Sequence, residues 1–200
     1  MRDVAGEEPM TEAAAAELTR YTVDGRGSRL TVTAYASGML SAFGHNPVVA
    51  AREISGEVRF SPDRLDAATV QCRVAARSLA VQNDVSDKDK REMERQMFDE
   101  VLEVSKYPDI TYDGSSTTIQ SVAEGRLRGE LDGRLSLHGV TRGQRISVQV
   151  FVMGDTLRAQ GETTLRQTDF GIKLVSAVGG GLKINDEVKC TFDILVRKVA

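Results

Sequence analysis

The sequence predicts an all-β fold with one or two short helices, because apolar and polar residues alternate along eight segments of the chain. Most links between these segments are short and contain Gly, Pro or Asp, which favours antiparallel neighbours, since parallel strands need a long crossover. Eight antiparallel strands form either a sandwich or a closed barrel. A barrel of that size is filled by side chains or holds one small ligand.

The composition indicates one globular domain with a short tail. The chain has 200 residues, of which 40% are hydrophobic, and this is enough for one sizeable core. Residues 1–19 are acidic and alanine-rich and have no apolar face, so we expect a flexible N-terminal tail there. The β-barrel domain is therefore expected over residues 20–200.

The charge pattern argues against nucleic acid as a partner. The 29 acidic and 26 basic residues are mixed along the chain, and no basic run is long enough to follow a phosphate backbone. No segment approaches the ~20 apolar residues of a membrane-spanning helix. The N-terminus lacks the positive patch and apolar stretch of a secretory signal, which predicts a cytoplasmic protein.

The predicted strands follow one another along the chain. Their apolar stripes lie at residues 30–36, 54–60, 68–76, 110–112, 127–137, 146–152, 157–165 and 188–196. In the fifth stripe every second residue from Leu127 to Leu137 is leucine or glycine, and the residues between are charged or polar. This strand is expected to face an apolar interior on one side and water on the other.

Small residues recur on the inward side of the predicted strands. These are positions where a filled core would carry Leu, Ile or Phe; they are Gly56, Ala68, Ala76, Gly129, Gly133, Ala159 and Gly161. One interpretation is that glycine permits the bending that closes a barrel. The number of such positions favours the other interpretation, an internal cavity.

A single segment has helical spacing. From Ser86 to Ser105 the apolar residues Met93, Met97, Val101 and Val104 fall three or four apart, which predicts a helix with one narrow apolar face. Ser86 followed by Asp89 resembles a capping arrangement at its start. We expect this helix to lie across the sheet or the barrel mouth with its charges in solvent.

The sequence carries no strong catalytic motif. Its two histidines, His45 and His138, lie outside any metal-binding pattern, and no serine stands in a nucleophile elbow. The two cysteines, Cys72 and Cys190, lack the spacing of a disulfide or zinc framework, so we interpret them as buried apolar residues. The glycines at 179–181 lack the lysine and hydroxyl residue of a P-loop. We therefore predict no catalytic residue, no metal ligand and no cofactor.

Several segments, in order along the chain, resemble one protein family, the YceI-like family. The similar segments are Tyr21-Thr22-Val23-Asp24 with Ser28, Phe98-Asp99, Lys106-Tyr107-Pro108-Asp109-Ile110-Thr111-Tyr112, Leu135-Ser136-Leu137-His138-Gly139-Val140-Thr141, Arg166-Gln167-Thr168-Asp169-Phe170-Gly171-Ile172 and Asp186-Glu187-Val188-Lys189. The resemblance implies a lipocalin-like antiparallel barrel that holds an isoprenoid or a similar long-chain amphiphile.

The chain also departs from the family pattern. Arg142-Gly143 stands where the family usually has proline, which predicts a looser corner, and residues 38–51 differ from the common linker. If that linker lines the cavity mouth, the ligand differs from the usual one. Many members carry an export signal that this sequence does not show.

The leading functional hypothesis is non-enzymatic binding, transport or sequestration of a long-chain apolar ligand, such as a polyisoprenoid, an isoprenoid quinone or a fatty-acid-like amphiphile. The residues expected to line the ligand cavity are Met97, Phe98, Leu131, Gly133, Leu135, Val148, Val150 and Phe170.

Two alternatives and the oligomeric state stay open at this point. The first alternative is a metal- or His-dependent enzyme that uses His45 and His138, with Asp169 or Arg166 as further candidates. The second is a stress-response interaction module whose core is filled by its own side chains. The sequence is also compatible with a homodimer.

Overall fold

A computed structural model describes residues 18–37, 46–61, 64, 67–177 and 182–199. The predicted tail up to residue 17, His45 and the glycines at 179–181 lie outside the described residues. The strands are β1 (Thr19–Val23), β2 (Arg29–Ser37), β3 (Val48–Ala51), β4 (Ile54–Phe60), β5 (Thr69–Ala75), β6 (Leu79–Val81), β7 (Asp109–Ala123), β8 (Arg126–Leu137), β9 (Val140–Met153), β10 (Thr156–Arg166), β11 (Ser176–Ala177) and β12 (Leu182–Lys198).

The strands close into an eight-stranded antiparallel barrel. The hydrogen-bonded order β1-β4-β5-β7-β8-β9-β10-β12 returns to its start, because β12 also pairs with β1. Closure removes the exposed edges that an open sheet would present. The predicted barrel is therefore confirmed, and the sandwich alternative is wrong.

Three of the eight staves of the barrel are each formed by two shorter strands that lie end to end. β1 and β2 both pair with β12, each along a different part of it. Next to them, β4 pairs with β1 and β3 pairs with β2. In the third position, β5 pairs with β4 and β6 pairs with β3. The break between β1 and β2 is a tight turn in which the Asp24 carboxylate accepts from the N–H groups of Arg26 and Gly27. These breaks explain why eight apolar stripes give more than eight strands.

The alternation predicted for β8 is present. Leu127, Leu131 and Leu135 are buried, whereas Arg128 and Asp132 are exposed. The link to β9 consists of His138 and Gly139 alone, with φ of 51° and 75°. Two successive residues with positive φ form the type I′ turn that suits a two-residue hairpin. Arg142 and Gly143 continue in the β8–β9 ladder, so the looser corner predicted there is wrong.

The inward glycines do not leave empty space beside them. A Cβ atom at Gly133 would lie 2.5 Å from the carbonyl oxygen of Asp113 and 2.6 Å from Cζ of Tyr112. The ring of Tyr112 lies over Gly133 and over Gly114 on the neighbouring strand. Gly133 is thus small because a backbone and an aromatic ring approach it closely, and the space inferred from it is filled by Tyr112.

We expect Gly133→Ala to lower the free energy of unfolding by about 1–3 kcal/mol, because the backbone oxygen of Asp113 has little freedom to move. Gly143→Ala is the matched control, since no atom lies within 4 Å of a Cβ at that position. Chemical denaturation of both variants measures the difference. Equal stability of the two variants would contradict the close approach at Gly133.

The helix α1 spans Asp87–Gln96 and is shorter than the predicted segment. Oγ of Ser86 accepts from the N–H of Asp89 at 3.1 Å, which confirms the predicted cap. A π-helical turn follows at Met97–Val101, and Glu103 then takes the left-handed conformation with φ of 44°. A residue in the left-handed conformation ends a helix, so the helical segment stops before Glu103 and does not reach Ser105 as predicted.

The barrel has one closed end and one end that carries the helix, which we call the helix end. The hairpins at 124–125 and 154–155 mark the closed end, which is filled by buried Tyr21, Phe60, Ala68, Leu127, Leu157 and Val196. The opposite end carries the His138-Gly139 turn, and there Met97 and Leu102 pack against apolar residues of the wall. The helix therefore lies at the barrel mouth, as the sequence predicts.

Candidate ligand-binding cavity

The interior of the barrel contains a cavity of about 640 Å³. Its floor is formed by Phe60, Ala68 and Leu157 from the closed end, and its upper wall includes Met93 and Met97 from the helical segment. Ligand sites for small molecules typically measure ~300–1,000 Å³. This volume argues against the alternative of an interaction module with a filled core.

The cavity wall is almost entirely apolar. Among the described lining residues Lys183 carries the one charged side chain, and it is exposed at the helix end. The polar uncharged members of the lining are Gln71, Asn83, Gln96, Thr111, Tyr112, Gln144, Thr163 and Gln167. Such a surface binds an apolar molecule by removing it from water and has little to offer a strongly charged one.

Five of the predicted site residues lie on this wall: Met97, Leu131, Leu135, Val148 and Val150. The four strand residues belong to the inward faces of β8 and β9, where the alternation of the sequence placed them. Met97 begins the π-helical turn at the mouth. Their contact with a ligand stays a prediction.

The structure places the other three candidates elsewhere. Phe98 packs against the cluster around Ile54, Val74 and Leu79, and the Arg77 guanidinium lies 5.3 Å from its ring centroid. Gly133 is covered by the ring of Tyr112.

Phe170 is only 2% exposed, lies in the 3-10 turn that follows β10, and is not among the residues that line the cavity. It belongs to the cluster of Tyr112, Leu131, Leu135, Val148 and Ile172.

The sequence-based list missed the inward face of β12 and its partner β2. Val188, Cys190, Phe192 and Ile194 line the cavity from β12, and Leu30, Val32, Ala34 and Ala36 do so from β2. Both stripes were visible in the sequence as alternating apolar residues. The sequence alone does not show which of these similar apolar stripes line the cavity. That depends on the strand order of the closed barrel, in which β12 lies between β10 and β2.

The two cysteines lie on the cavity wall as predicted apolar residues. Burial raises the pKa of the Cys72 thiol and of the Cys190 thiol to about 11. Both therefore stay protonated at neutral pH. A protonated buried thiol is a poor nucleophile, so neither residue is suited to covalent catalysis.

His138 holds a structural corner at the helix end. Its Nδ1 donates to the carbonyl oxygen of Phe170 at 3.2 Å, and its Nε2 lies 3.0 Å from Oε2 of Glu103. The Tyr107 ring lies against the imidazole with 4.7 Å between centroids. Lys106, followed by His138, holds the pKa of Glu103 below its usual value. The histidine thus joins the β8–β9 turn to the segment after the helix and to the end of β10.

A second polar joint lies beside this corner. The Asp186 carboxylate accepts from the N–H and the hydroxyl of Thr168, both at 2.8 Å, and from Nε of Arg166 at 3.0 Å. Thr168, followed by Arg166, holds the pKa of Asp186 below its usual value. This joint ties the turn after β10 to β12. Arg166, a candidate of the histidine-dependent alternative, is engaged in this ion pair with Asp186.

The described part of the chain assembles no cluster of three or more His, Cys, Asp or Glu side chains around a common metal position. His45, the proposed partner of His138, lies outside the described residues. Among the helices that the structure describes, none is both long enough and apolar enough to cross a membrane.

The contacts around His138 and Asp186 lie in segments whose sequences resemble the YceI-like family. A comparison with family models tests that resemblance directly. The model of the YceI-like domain matches residues 21–196. The chain belongs to the YceI-like family. The matched range includes β2 to β11, the whole helical segment, and β1 and β12 except for the first two residues of β1 and the last two of β12. A search of curated proteins finds no match.

Solved structures of YceI-like proteins share the fold. BcnA of Burkholderia cenocepacia is 16% identical, with a TM-score of 0.65 over 86% of this chain and 98% of that chain. A polyisoprenoid-binding domain from Saccharophagus degradans is 15% identical, with a TM-score of 0.64 over 92% of this chain and 100% of that chain. The Campylobacter jejuni YceI protein is 12% identical, with a TM-score of 0.51 over 76% and 84% of the two chains.

Proposed function

We propose that this YceI-like barrel binds one long-chain apolar molecule, of the polyisoprenoid, isoprenoid quinone or fatty-acid-like class, and carries or sequesters it without a catalytic step. The observation that supports this is the apolar cavity of about 640 Å³ inside a closed barrel. The similarity to a polyisoprenoid-binding domain supports the isoprenoid class in particular.

The energetics of such binding follow from the wall. Each methylene transferred from water into an apolar site gains about 0.8 kcal/mol before ordering costs. A few isoprene units therefore supply useful affinity, and the floor at Phe60 and Leu157 limits how deep the chain reaches. Selection would depend on the length and width of the chain, since the wall offers few polar contacts.

The histidine-dependent alternative has little support at His138. Both ring nitrogens of His138 are engaged, and its side chain is only 11% exposed. The residue also lies at the outer corner rather than among the residues that line the cavity. We therefore assign His138 to the structure of the helix end.

The two cavity thiols provide the test. At pH 8 a thiol with a pKa near 11 has roughly a hundredfold less thiolate than an ordinary one, so Cys72 and Cys190 should react slowly with iodoacetamide. The rate should rise about tenfold per pH unit below that pKa. Adding geranylgeraniol should slow the reaction further, because a bound chain covers both side chains.

The matched control is Thr164→Cys, an exposed position on the outer face of β10. Its thiol should react fast and should not be protected by geranylgeraniol. Native mass spectrometry of the purified protein, with and without geranylgeraniol, gives the stoichiometry and reveals any copurified lipid. Unprotected Cys72 and Cys190 together with no bound lipid would overturn the proposed function.

A further inference from the structure

The ladder between β9 and β10 covers only the part of the two strands nearer the closed end. In the described chain the β9–β10 ladder ends at the pair Gln149–Gln160, although β9 continues to pair with β8 as far as Val140. β10 likewise continues to pair with β12 as far as Arg166. Beyond Gln160 the two strands form no further ladder pairs toward the helix end, although the carbonyl oxygen of Ser147 on β9 still lies beside Gly161 on β10.

One side-chain hydrogen bond joins the two strands in this part without ladder pairs. Nε2 of Gln144 donates to Oγ1 of Thr163 at 2.7 Å, and the same nitrogen lies 3.2 Å from the carbonyl oxygen of Arg145. Because that carbonyl only accepts, the contact orients the amide with its nitrogen toward β10. The hydroxyl of Tyr112 donates to the backbone oxygen of Gln144 at 3.2 Å and fixes β9 at this point.

The Gln144–Thr163 pair retains unused hydrogen-bonding capacity on the cavity side. Both residues line the cavity, and the amide nitrogen of Gln144 is occupied by Thr163 and Arg145. Within the described residues no donor reaches Oε1 of Gln144, and no acceptor takes the hydroxyl hydrogen of Thr163. The pair thus offers one acceptor and one donor side by side in a mostly apolar wall.

We propose that Gln144 and Thr163 form a subsite for the hydroxyl head group of a neutral long-chain alcohol, with the apolar chain in the rest of the cavity. A hydroxyl both donates and accepts, so it matches Oε1 of Gln144 and the O–H of Thr163 together. A phosphate or carboxylate lacks a partner here, because the described cavity lining has no cation except exposed Lys183. This inference rests on the proposed apolar-ligand function.

The test compares geranylgeraniol with the hydrocarbon of the same length and with geranylgeranyl phosphate, using protection of Cys72 from iodoacetamide as the readout. Thr163→Val removes the donor at nearly constant volume, and Gln144→Met removes the acceptor. Each variant should lower the affinity for geranylgeraniol by about threefold to tenfold. The hydrocarbon should bind within twofold of its wild-type affinity, and geranylgeranyl phosphate should be the weakest ligand of the wild type.

The control is the double variant Ser136→Ala with Thr141→Val, which removes a hydroxyl pair of similar length, 2.7 Å, from a β8–β9 position outside the cavity lining. It should leave the affinity for all three ligands unchanged. Equal losses for alcohol and hydrocarbon in both cavity variants, or tighter binding of the phosphate by the wild type, would overturn the subsite while the apolar-ligand function stands. Failure of the wild type to bind either the alcohol or the hydrocarbon would overturn both.

Discussion

Ala159→Trp is expected to lower the affinity for geranylgeraniol by about fifty-fold. Ala159 lies on the cavity wall in the first half of β10, opposite Val150 of β9 and Ile194 of β12. An indole at this position projects into the space that the ligand chain needs. If it displaces about three methylenes, the loss is roughly 2.4 kcal/mol, which corresponds to that factor in Kd.

The same indole should leave the fold intact, because the cavity offers room that a filled core lacks. We therefore expect an unchanged or slightly higher Tm for Ala159→Trp, measured beside the Kd. Thr164→Trp is the control, since its side chain points outward from the same strand and should alter neither property. Wild-type affinity in a folded Ala159→Trp variant would mean that the ligand does not occupy this cavity.

The barrel was predictable because alternation of apolar and polar residues reports directly on which face of a strand is buried. The stripe from Leu127 to Leu137 appears in the structure with its leucines inside and its charges outside. Closure into a ring was not encoded locally. It depends on pairing between β1 and β12, which lie at opposite ends of the chain.

The cavity was predicted partly for the wrong reason. The sequence pattern suggests gaps at the inward glycines, yet Gly133 lies beneath the ring of Tyr112, and Gly161 lies beneath the ring of Phe192. A glycine beside an aromatic residue on the next strand receives that ring, and the sequence does not reveal which residues will be neighbours across strands. The cavity instead arises from the short apolar side chains that face it from around the barrel wall, Ala34 and Ala159 among them.

The candidate site was predictable only where strand alternation decided the direction of a side chain. Leu131 and Val148 lie on regular strands and face the cavity as expected. Phe98 and Phe170 lie on a π-helical turn and a 3-10 turn, where neither the period of a strand nor that of an α-helix applies. The Gln144–Thr163 pair depends on where the β9–β10 ladder ends, and the sequence alone does not reveal that tertiary feature.

Phe170→Ala is expected to lower the free energy of unfolding by about 3–5 kcal/mol, as for other buried phenylalanines that leave a void. The ring is 2% exposed and packs among Tyr112, Leu135 and Ile172, and its carbonyl oxygen accepts from His138. In a domain of this size each kcal/mol corresponds to roughly 2–4 °C in Tm. A fall of about 10 °C in thermal unfolding is therefore expected, whereas Leu174→Ala, at an exposed leucine, should change Tm by little.

Ligand affinity decides what this large effect means. Phe170 does not line the cavity, so geranylgeraniol should bind Phe170→Ala within about twofold of wild type at a temperature well below the lowered Tm. A residue that contacts the ligand would show the reverse, a loss of affinity larger than the loss of stability. Because Phe170 lies in a segment that resembles the family pattern, retained affinity would indicate that the Asp169-Phe170-Gly171 segment maintains the corner at His138. Recognition of the ligand would then depend on the inward faces of the strands.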